Sequence, residues 1–130
     1  VTSFNMLRKD GMEIENVNLK NPSKTPQASY VEQSFAHENI PAVAATDYMR
    51  AYAEQIRPFV KGTYFTLGTD GFGRSDSRKK LREYFEVDAN NIAATAAYAL
   101  LQDQIIDKKQ VGKIYEKLGI NKDKSSPWVQ

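Results

Sequence analysis

The sequence predicts an α/β fold with a mainly parallel sheet. Two segments, 41–45 and 63–67, are rich in small, β-branched or aromatic residues and are short enough to be single strands. They alternate with longer segments whose apolar residues recur every three or four positions, which is the period of an amphipathic helix. Strands separated by helices are typical of parallel sheets, because a parallel crossover is long enough to hold a helix.

Composition favours one ordinary globular domain and excludes several classes of protein. The chain has 130 residues, 41% of them hydrophobic, and a net charge of only +2, so it has no strong general attraction for nucleic acid or anionic membranes. It has no cysteine, which excludes disulfide scaffolds, thiol nucleophiles and thiolate zinc sites. Its longest uncharged apolar stretch, 92–101, is too short to span a bilayer.

The first third of the chain shows weak periodicity. Val1–Phe4 has the composition of a third strand, and residues 5–10 are long enough for one helical turn that Gly11 would end. Asparagine, serine and proline recur through 12–27, which predicts a surface loop. Residues 27–37 then form a weak amphipathic pattern that predicts a short helix.

The middle of the chain contains the clearest strand–helix alternation. After the strand at 41–45, Thr46 and Asp47 are candidate N-caps for a helix. The apolar residues of that helix have i, i+3, i+4 and i+7 spacing: Met49, Tyr52, Ala53 and Ile56. Pro58 is expected to end the helix, because the residue before a proline disfavours helical geometry. The segment 63–67 is the most strand-like of all.

Three further helices are predicted after a glycine-rich loop at 68–76. The first helix spans 77–85, and Asp88 is placed to cap the second. The third helix is expected to begin with a capping box made by Asp107 and Gln110 and to end at Gly119. The polar tail that follows, 121–130, is expected to fray.

The glycine-rich loop is the most informative segment for function. Its glycines free the backbone amides to face an anion, but their spacing matches neither G-x-G-x-x-G nor a P-loop, so a tight turn before the helix explains them as well. Phe72 lies between two glycines, where solvent exposure of its ring would be unfavourable without a partner surface. We therefore predict an interface loop, whose candidate residues are Asp70, Phe72, Arg74, Asp76 and Arg78.

An alternative hypothesis is an anion- or nucleic-acid-binding module that uses this loop and the basic run 78–82. Nearby acidic residues dilute that positive field, and a solvated helix face explains the run more simply. His37 is the only histidine, has no identifiable catalytic partner, and is interpreted as a surface residue near a helix end.

Three stretches of the sequence resemble one known family. The string Leu67–Arg78, continued by Leu81-Arg82 and 85–89, is similar to the C-terminal domain of the homodimeric, thiamine-diphosphate-dependent bacterial pyruvate dehydrogenases. Val1–Phe4 and 41–55 agree with the same family in order and spacing. Another thiamine enzyme of the transketolase group would share the fold but is not expected to contain the full string from Gly68 to Arg78.

The resemblance implies a transketolase C-terminal-domain-like fold that is N-terminally truncated, since the family has further segments before the residues that match Val1–Phe4. The α/β domain fragment would span 1–124, with a frayed tail at 125–130. The parent protein would be a cytoplasmic homodimer that decarboxylates pyruvate from glycolysis. It would transfer the acetyl group to the lipoyl group of the acetyltransferase component.

Thiamine diphosphate and magnesium are the cofactors that the resemblance implies for the parent protein, and none is expected on this chain. The family's cofactor motif is absent, and neither Asp70-Gly71 nor Asn90-Asn91 has the required spacing. No residue is therefore assigned as catalytic, cofactor-binding or metal-binding. The expected partners are the preceding domains, a second subunit and the acetyltransferase, with no nucleic acid and no membrane.

Overall fold

The computed structural model describes residues 1–36 and 40–129. Two α-helices, a strand, a short helix, a second strand and three further α-helices follow one another along the chain: α1 (Phe4–Lys20), α2 (Tyr30–Phe35), β1 (Ala42–Ala45), α3 (Ala51–Glu54), β2 (Tyr64–Leu67), α4 (Arg78–Phe85), α5 (Ala89–Gln102) and α6 (Lys108–Leu118). Two single 3-10 turns cover Arg57–Phe59 and Pro127–Val129. His37 lies outside the described residues.

The predicted α/β class and parallel sheet are confirmed. In the described part of the chain β1 and β2 form a two-stranded parallel sheet, in which Ala42 is opposite Tyr64 and Ala45 is opposite Leu67. Helix α5 packs against both strands, and α6 packs on α5. A buried cluster made by α2, the turn after α3 and β2 forms the core: Val31, Ile56, Phe59 and Tyr64.

The predictions for residues 1–20 are wrong, because this segment is one helix rather than a strand, a turn and a loop. The Ser3 side chain accepts a hydrogen bond from the Met6 amide and caps the helix. Gly11 does not end α1; it is buried where the helix crosses the Phe59 ring. A Cβ atom at Gly11 would lie 2.4 Å from that ring, so glycine allows this close packing.

The predicted second helix is confirmed with shorter bounds. Ser29 and Glu32 form a capping box at the N-terminus of α2, in which each side chain accepts a hydrogen bond from the backbone amide of the other. The Asp10 carboxylate accepts a hydrogen bond of 2.7 Å from the Tyr30 amide. This contact holds α1 against the beginning of α2.

The predicted N-cap after β1 is wrong. The Thr46 hydroxyl accepts from the Tyr48 amide in a local turn, and the Asp47 side chain pairs with Arg82 instead. Helix α3 begins only at Ala51 and has no side-chain cap. It ends at Glu54 ahead of the 3-10 turn that contains Pro58, which agrees with the predicted effect of that proline.

The three C-terminal helices begin where their caps predict. The side chains of Ser77, Asp88 and Asp107 accept hydrogen bonds from backbone amides in the first turns of α4, α5 and α6. Gln110 completes the predicted capping box by accepting from the Asp107 amide. Gly119 ends α6 in the left-handed conformation, with φ of 66°.

The C-terminal tail contains one turn that packs on the glycine-rich loop. Residues Pro127–Val129 form a 3-10 turn in which Pro127 is buried. The turn is fixed by close packing on Gly71, because the Pro127 carbonyl lies 3.0 Å from the position of a Cβ atom at that glycine. Sequence periodicity carried no information about this long-range contact.

Two glycine-to-alanine substitutions distinguish packing from helix propensity. We expect Gly11→Ala to lower the free energy of unfolding by about 1–3 kcal/mol, because the new methyl group overlaps the buried Phe59 ring. Gly112→Ala, in the interior of α6 with open space around it, is expected to raise it by about 0.5–1 kcal/mol. Urea denaturation of the two variants measures both changes. Equal effects of the two substitutions would contradict the packing of α1 on Phe59.

Candidate interaction site

The glycine-rich loop begins at the carboxyl end of β2, where it lies beside the segment that follows β1. The Thr46 amide donates to the Leu67 carbonyl at 3.0 Å, and the Thr69 amide donates to the Tyr48 carbonyl at 2.9 Å. These bonds continue the pairing of the two strands beyond the sheet. They place the base of the loop, from Gly68 to Asp70, directly against residues 48–50.

Gly68 makes this close approach possible. A Cβ atom at this buried position would lie 2.6 Å from the Tyr48 carbonyl oxygen and 2.7 Å from the Arg50 nitrogen, both of which are backbone atoms. Two residues later, the Asp70 carboxylate accepts a hydrogen bond of 3.1 Å from the Arg50 amide. The first three residues of the loop are thus fixed by their contacts with residues 48–50.

A polar network under the loop secures Arg50 and the end of β2. Thr66 is 1% exposed, and its hydroxyl donates to the Glu54 carboxylate. The Arg57 guanidinium donates through two nitrogens to Glu54 and through Nη1 to the Tyr64 carbonyl at 2.8 Å. Arg50 Nε lies 3.4 Å from the Thr66 hydroxyl oxygen. The network joins α3, the following turn and β2.

Two ionisable groups are perturbed in this network. The hydrogen bonds from Arg57 lower the pKa of Glu54 to about 2, and burial opposes that effect. Burial, with a smaller contribution from the Glu54 charge, raises the pKa of Tyr64 to about 12. The Tyr64 hydroxyl donates to the Ala53 carbonyl at 2.8 Å. Neither shift places its group near neutral pH, so the arrangement indicates structure rather than acid–base chemistry.

The tip of the loop is exposed. Phe72 is 83% exposed, and it lies between Gly71, whose φ is 114°, and Gly73, which has open space around it. An isolated phenylalanine at this exposure leaves most of its apolar ring in water.

The other predicted interface residues divide by role. Asp70 anchors the loop, and Arg74 stacks on the Tyr84 ring at 4.1 Å from its centroid. Asp76 accepts a hydrogen bond from the Ser77 amide at the start of α4. Arg78 is exposed and forms no ion pair with the described residues. Arg74 and Asp76 line one shallow pocket and Arg78 lines a separate cleft, so the five residues share a loop but do not converge on a single pocket.

The anion-binding alternative receives little support from this geometry. Two amides at the N-terminus of α4 are already engaged by the protein's own side chains, Asp76 and Ser77. The Asp76 carboxylate would also repel an incoming phosphate. In the basic run, Arg82 pairs bidentately with Asp47, at 2.7 Å for the shorter contact, and Lys79 lies 4.0 Å from Glu83. The hydrogen bond from Arg82 lowers the pKa of Asp47.

A cleft of about 1130 Å³ lies between the end of β1, α4 and the adjoining ends of α5 and α6. Its charged side chains are largely paired with one another, as in Lys124 with Glu86 at 3.4 Å. Asp88 fills the N-terminus of α5 with its own carboxylate. No group of three or more carboxylate or histidine ligands suited to a metal ion exists among the described residues. No helix within residues 1–36 and 40–129 is long and apolar enough to cross a bilayer.

Several residues near the loop escaped the sequence analysis. Arg50 lies over the Trp128 ring at 5.4 Å, and the Tyr48 and Tyr52 rings meet edge to face at 5.0 Å. Tyr52 was interpreted as an inward-facing helix residue, but it is exposed. The only signal that could have pointed to Trp128 was its rarity as the single tryptophan in a polar tail.

Comparison with known proteins agrees with this architecture. A family profile described as "Transketolase-like TK C-terminal domain" matches residues 1–88. The chain belongs to this family. The predicted resemblance to a transketolase C-terminal domain is therefore confirmed.

Several proteins that are similar to this chain are named "Pyruvate dehydrogenase E1 component". One from Pseudomonas aeruginosa is 48% identical over 128 residues, and one from Escherichia coli K12 is 46% identical over 128 residues. Both matches cover 98% of this chain but 14% of the relative. One from Mycobacterium tuberculosis is 45% identical over 107 residues, which is 82% of this chain and 12% of the relative. The chain thus spans about one seventh of the length of the proteins it matches.

The backbone contact at the base of the loop can be tested with a matched pair of substitutions. Gly68→Ala is expected to lower the free energy of unfolding by about 1–3 kcal/mol, because its methyl group meets backbone atoms that cannot move separately. Gly73→Ala, in the same loop with open space around it, is expected to change it by less than about 1 kcal/mol. Thermal and urea unfolding provide the comparison. A tolerated Gly68→Ala would refute the close approach.

The Glu54 network predicts a component of stability that is lost in acid. Because the folded pKa of Glu54 is lowered, its contribution is complete above its unfolded value of 4.5 and disappears as pH falls toward about 2. We expect Glu54→Gln to reduce the slope of unfolding free energy against pH between about 5 and 2. Glu13→Gln, at an exposed position on α1, is the matched control. Identical slopes for Glu54→Gln and the unsubstituted chain would contradict the network.

Proposed function

We propose that this chain is the C-terminal part of a pyruvate dehydrogenase of the homodimeric E1 type. The observation that carries the proposal is 44–48% identity to proteins of that name over 96% or more of this chain. Similarity at this level extends through the loop, the sheet and all three C-terminal helices. The parent polypeptide would decarboxylate pyruvate and transfer the acetyl group to the lipoyl group of the acetyltransferase component.

The parent polypeptide would use thiamine diphosphate and magnesium, but the residues of this chain do not fit that group. Asp70 is engaged by the Arg50 amide. Asn90 donates to the Leu118 carbonyl, and Asn91 donates to Asp88, so both asparagines serve the ends of helices. Among the described residues there is also no group of three or more carboxylate or histidine ligands that could hold magnesium. We therefore assign the cofactor and the chemistry to the remainder of the parent polypeptide.

In this proposal the chain contributes packing and interaction surfaces rather than catalytic groups. The ordered loop from Gly68 to Arg78 would face another part of the enzyme, with Phe72 and Arg74 at the contact. The preceding domains, the second subunit of the homodimer and the acetyltransferase component are its expected partners. The cytoplasm is its expected location, where pyruvate from glycolysis is consumed.

Activity measurements on two polypeptides test the proposal. We expect the parent polypeptide to acetylate lipoyl groups from pyruvate in the presence of thiamine diphosphate and magnesium. The isolated 130-residue chain is expected neither to decarboxylate pyruvate nor to acetylate lipoyl groups. It is also expected to release no heat when it is titrated with thiamine diphosphate. Decarboxylation of pyruvate or cofactor binding by the isolated chain would reject the structural role. A parent polypeptide inactive with pyruvate would reject the enzyme assignment.

A further inference from the structure

An exposed apolar surface at the carboxyl edge of the sheet is assembled from three segments that are distant in sequence. It comprises six residues, which we call the edge patch: Tyr48, Met49, Tyr52, Phe72, Trp128 and Val129. Each is more than two-fifths exposed, and Phe72 and Val129 are the most exposed at 83% and 73%. An accumulation of large apolar side chains at one place is characteristic of an interaction site rather than of ordinary surface.

The contacts that connect the segments are specific. Arg50 lies between Tyr48 and Tyr52 in sequence, and its guanidinium lies over the Trp128 ring at 5.4 Å. The backbone of Pro127 and Trp128 packs closely on Gly71, the neighbour of Phe72, whose φ of 114° favours glycine. The C-terminal turn is thereby fixed to the loop at Gly71, directly beside Phe72. The loop and the tail form one surface, not two independent features.

Charged side chains of both signs lie on the loop and on the first turn of α4. Arg78 and Lys80 are exposed on the first turn of α4 and form no ion pair with the described residues. Asp70 and Asp76, the acidic residues of the loop, are engaged by the Arg50 and Ser77 amides. Both carboxylates keep their negative charge, so the loop and the first turn of α4 carry charges of both signs and do not select a partner by charge.

We propose that the edge patch, including the C-terminal turn Pro127–Val129, docks on an apolar protein surface in the remainder of the parent polypeptide. This inference rests on the proposed function. It is supported by the share of the relatives' length, about six sevenths, that lies outside the region this chain matches. In this arrangement Phe72 and Trp128 are the buried aromatic anchors.

Trypsin cleavage after Arg74 in the parent polypeptide measures docking, because a docked loop is protected from the protease. We expect Phe72→Ser to raise the rate of this cleavage about tenfold or more, as loss of an aromatic anchor does at interfaces. Val129→Ser is expected to raise it in the same direction, because the turn belongs to the same surface. Ile105→Ser is the matched control: Ile105 is also exposed, but it lies in the turn after α5 at the amino edge of the sheet. Its substitution is expected to leave the rate unchanged.

Hydroxyl-radical labelling of the unsubstituted parent polypeptide provides a second measurement that needs no variant. We expect Phe72 and Trp128 to be oxidised several-fold more slowly in the native polypeptide than in its urea-denatured form. Oxidation of either ring at the denatured rate would overturn the inference. So would equal trypsin rates for Phe72→Ser and Ile105→Ser.

Two further outcomes separate this inference from others. Dimerisation of the isolated chain that Phe72→Ser abolishes, measured by sedimentation, would make a second copy the occupant and overturn the inference. A parent polypeptide that is inactive with pyruvate but protects the loop would reject the proposed function and retain the docking surface. A parent polypeptide that is active with pyruvate but whose loop is freely cleaved would retain the proposed function and reject the docking surface.

Discussion

The close approach of Gly68 to the backbone of residues 48–50 is the contact on which the rest of the site depends. It lets the segment after β1 and the loop after β2 run side by side, continuing a parallel pairing that is only four residues long within the sheet. Arg50 then connects three elements, through its amide to Asp70, its Nε to Thr66 and its guanidinium to Trp128. Any side chain at Gly68 would separate these partners. The loop is consequently ordered by backbone geometry first and by side chains second.

This constraint explains how an exposed phenylalanine is compatible with a folded domain. The base of the loop is anchored by Asp70, its far end is held by Arg74 on Tyr84 and by the caps of α4, and the tail packs on Gly71. Phe72 is therefore presented by a fixed scaffold and loses little further conformational freedom on meeting a partner. Preorganisation of this kind reduces the entropic cost of association.

The parts of the fold that the sequence predicted are those whose signals are local. Ser77, Asp88 and Asp107 cap their helices through neighbours within three residues, and the β-branched and aromatic run at 63–67 forms a strand in its own right. The failures are long-range. Gly11 suggested a helix end because its packing on Phe59, 48 positions away, leaves no local pattern. The same reason hid the packing of Pro127 on Gly71, and with it the edge patch to which the C-terminal turn belongs.

An experimental structure of the complete parent polypeptide tests most directly whether the loop from Gly68 to Arg78 is the contact surface that we propose. We expect Phe72, which is 83% exposed in the chain alone, to be buried there against residues from outside this chain, with the loop backbone unchanged. A fully solvated Phe72 and Arg74 in that structure would contradict the proposal.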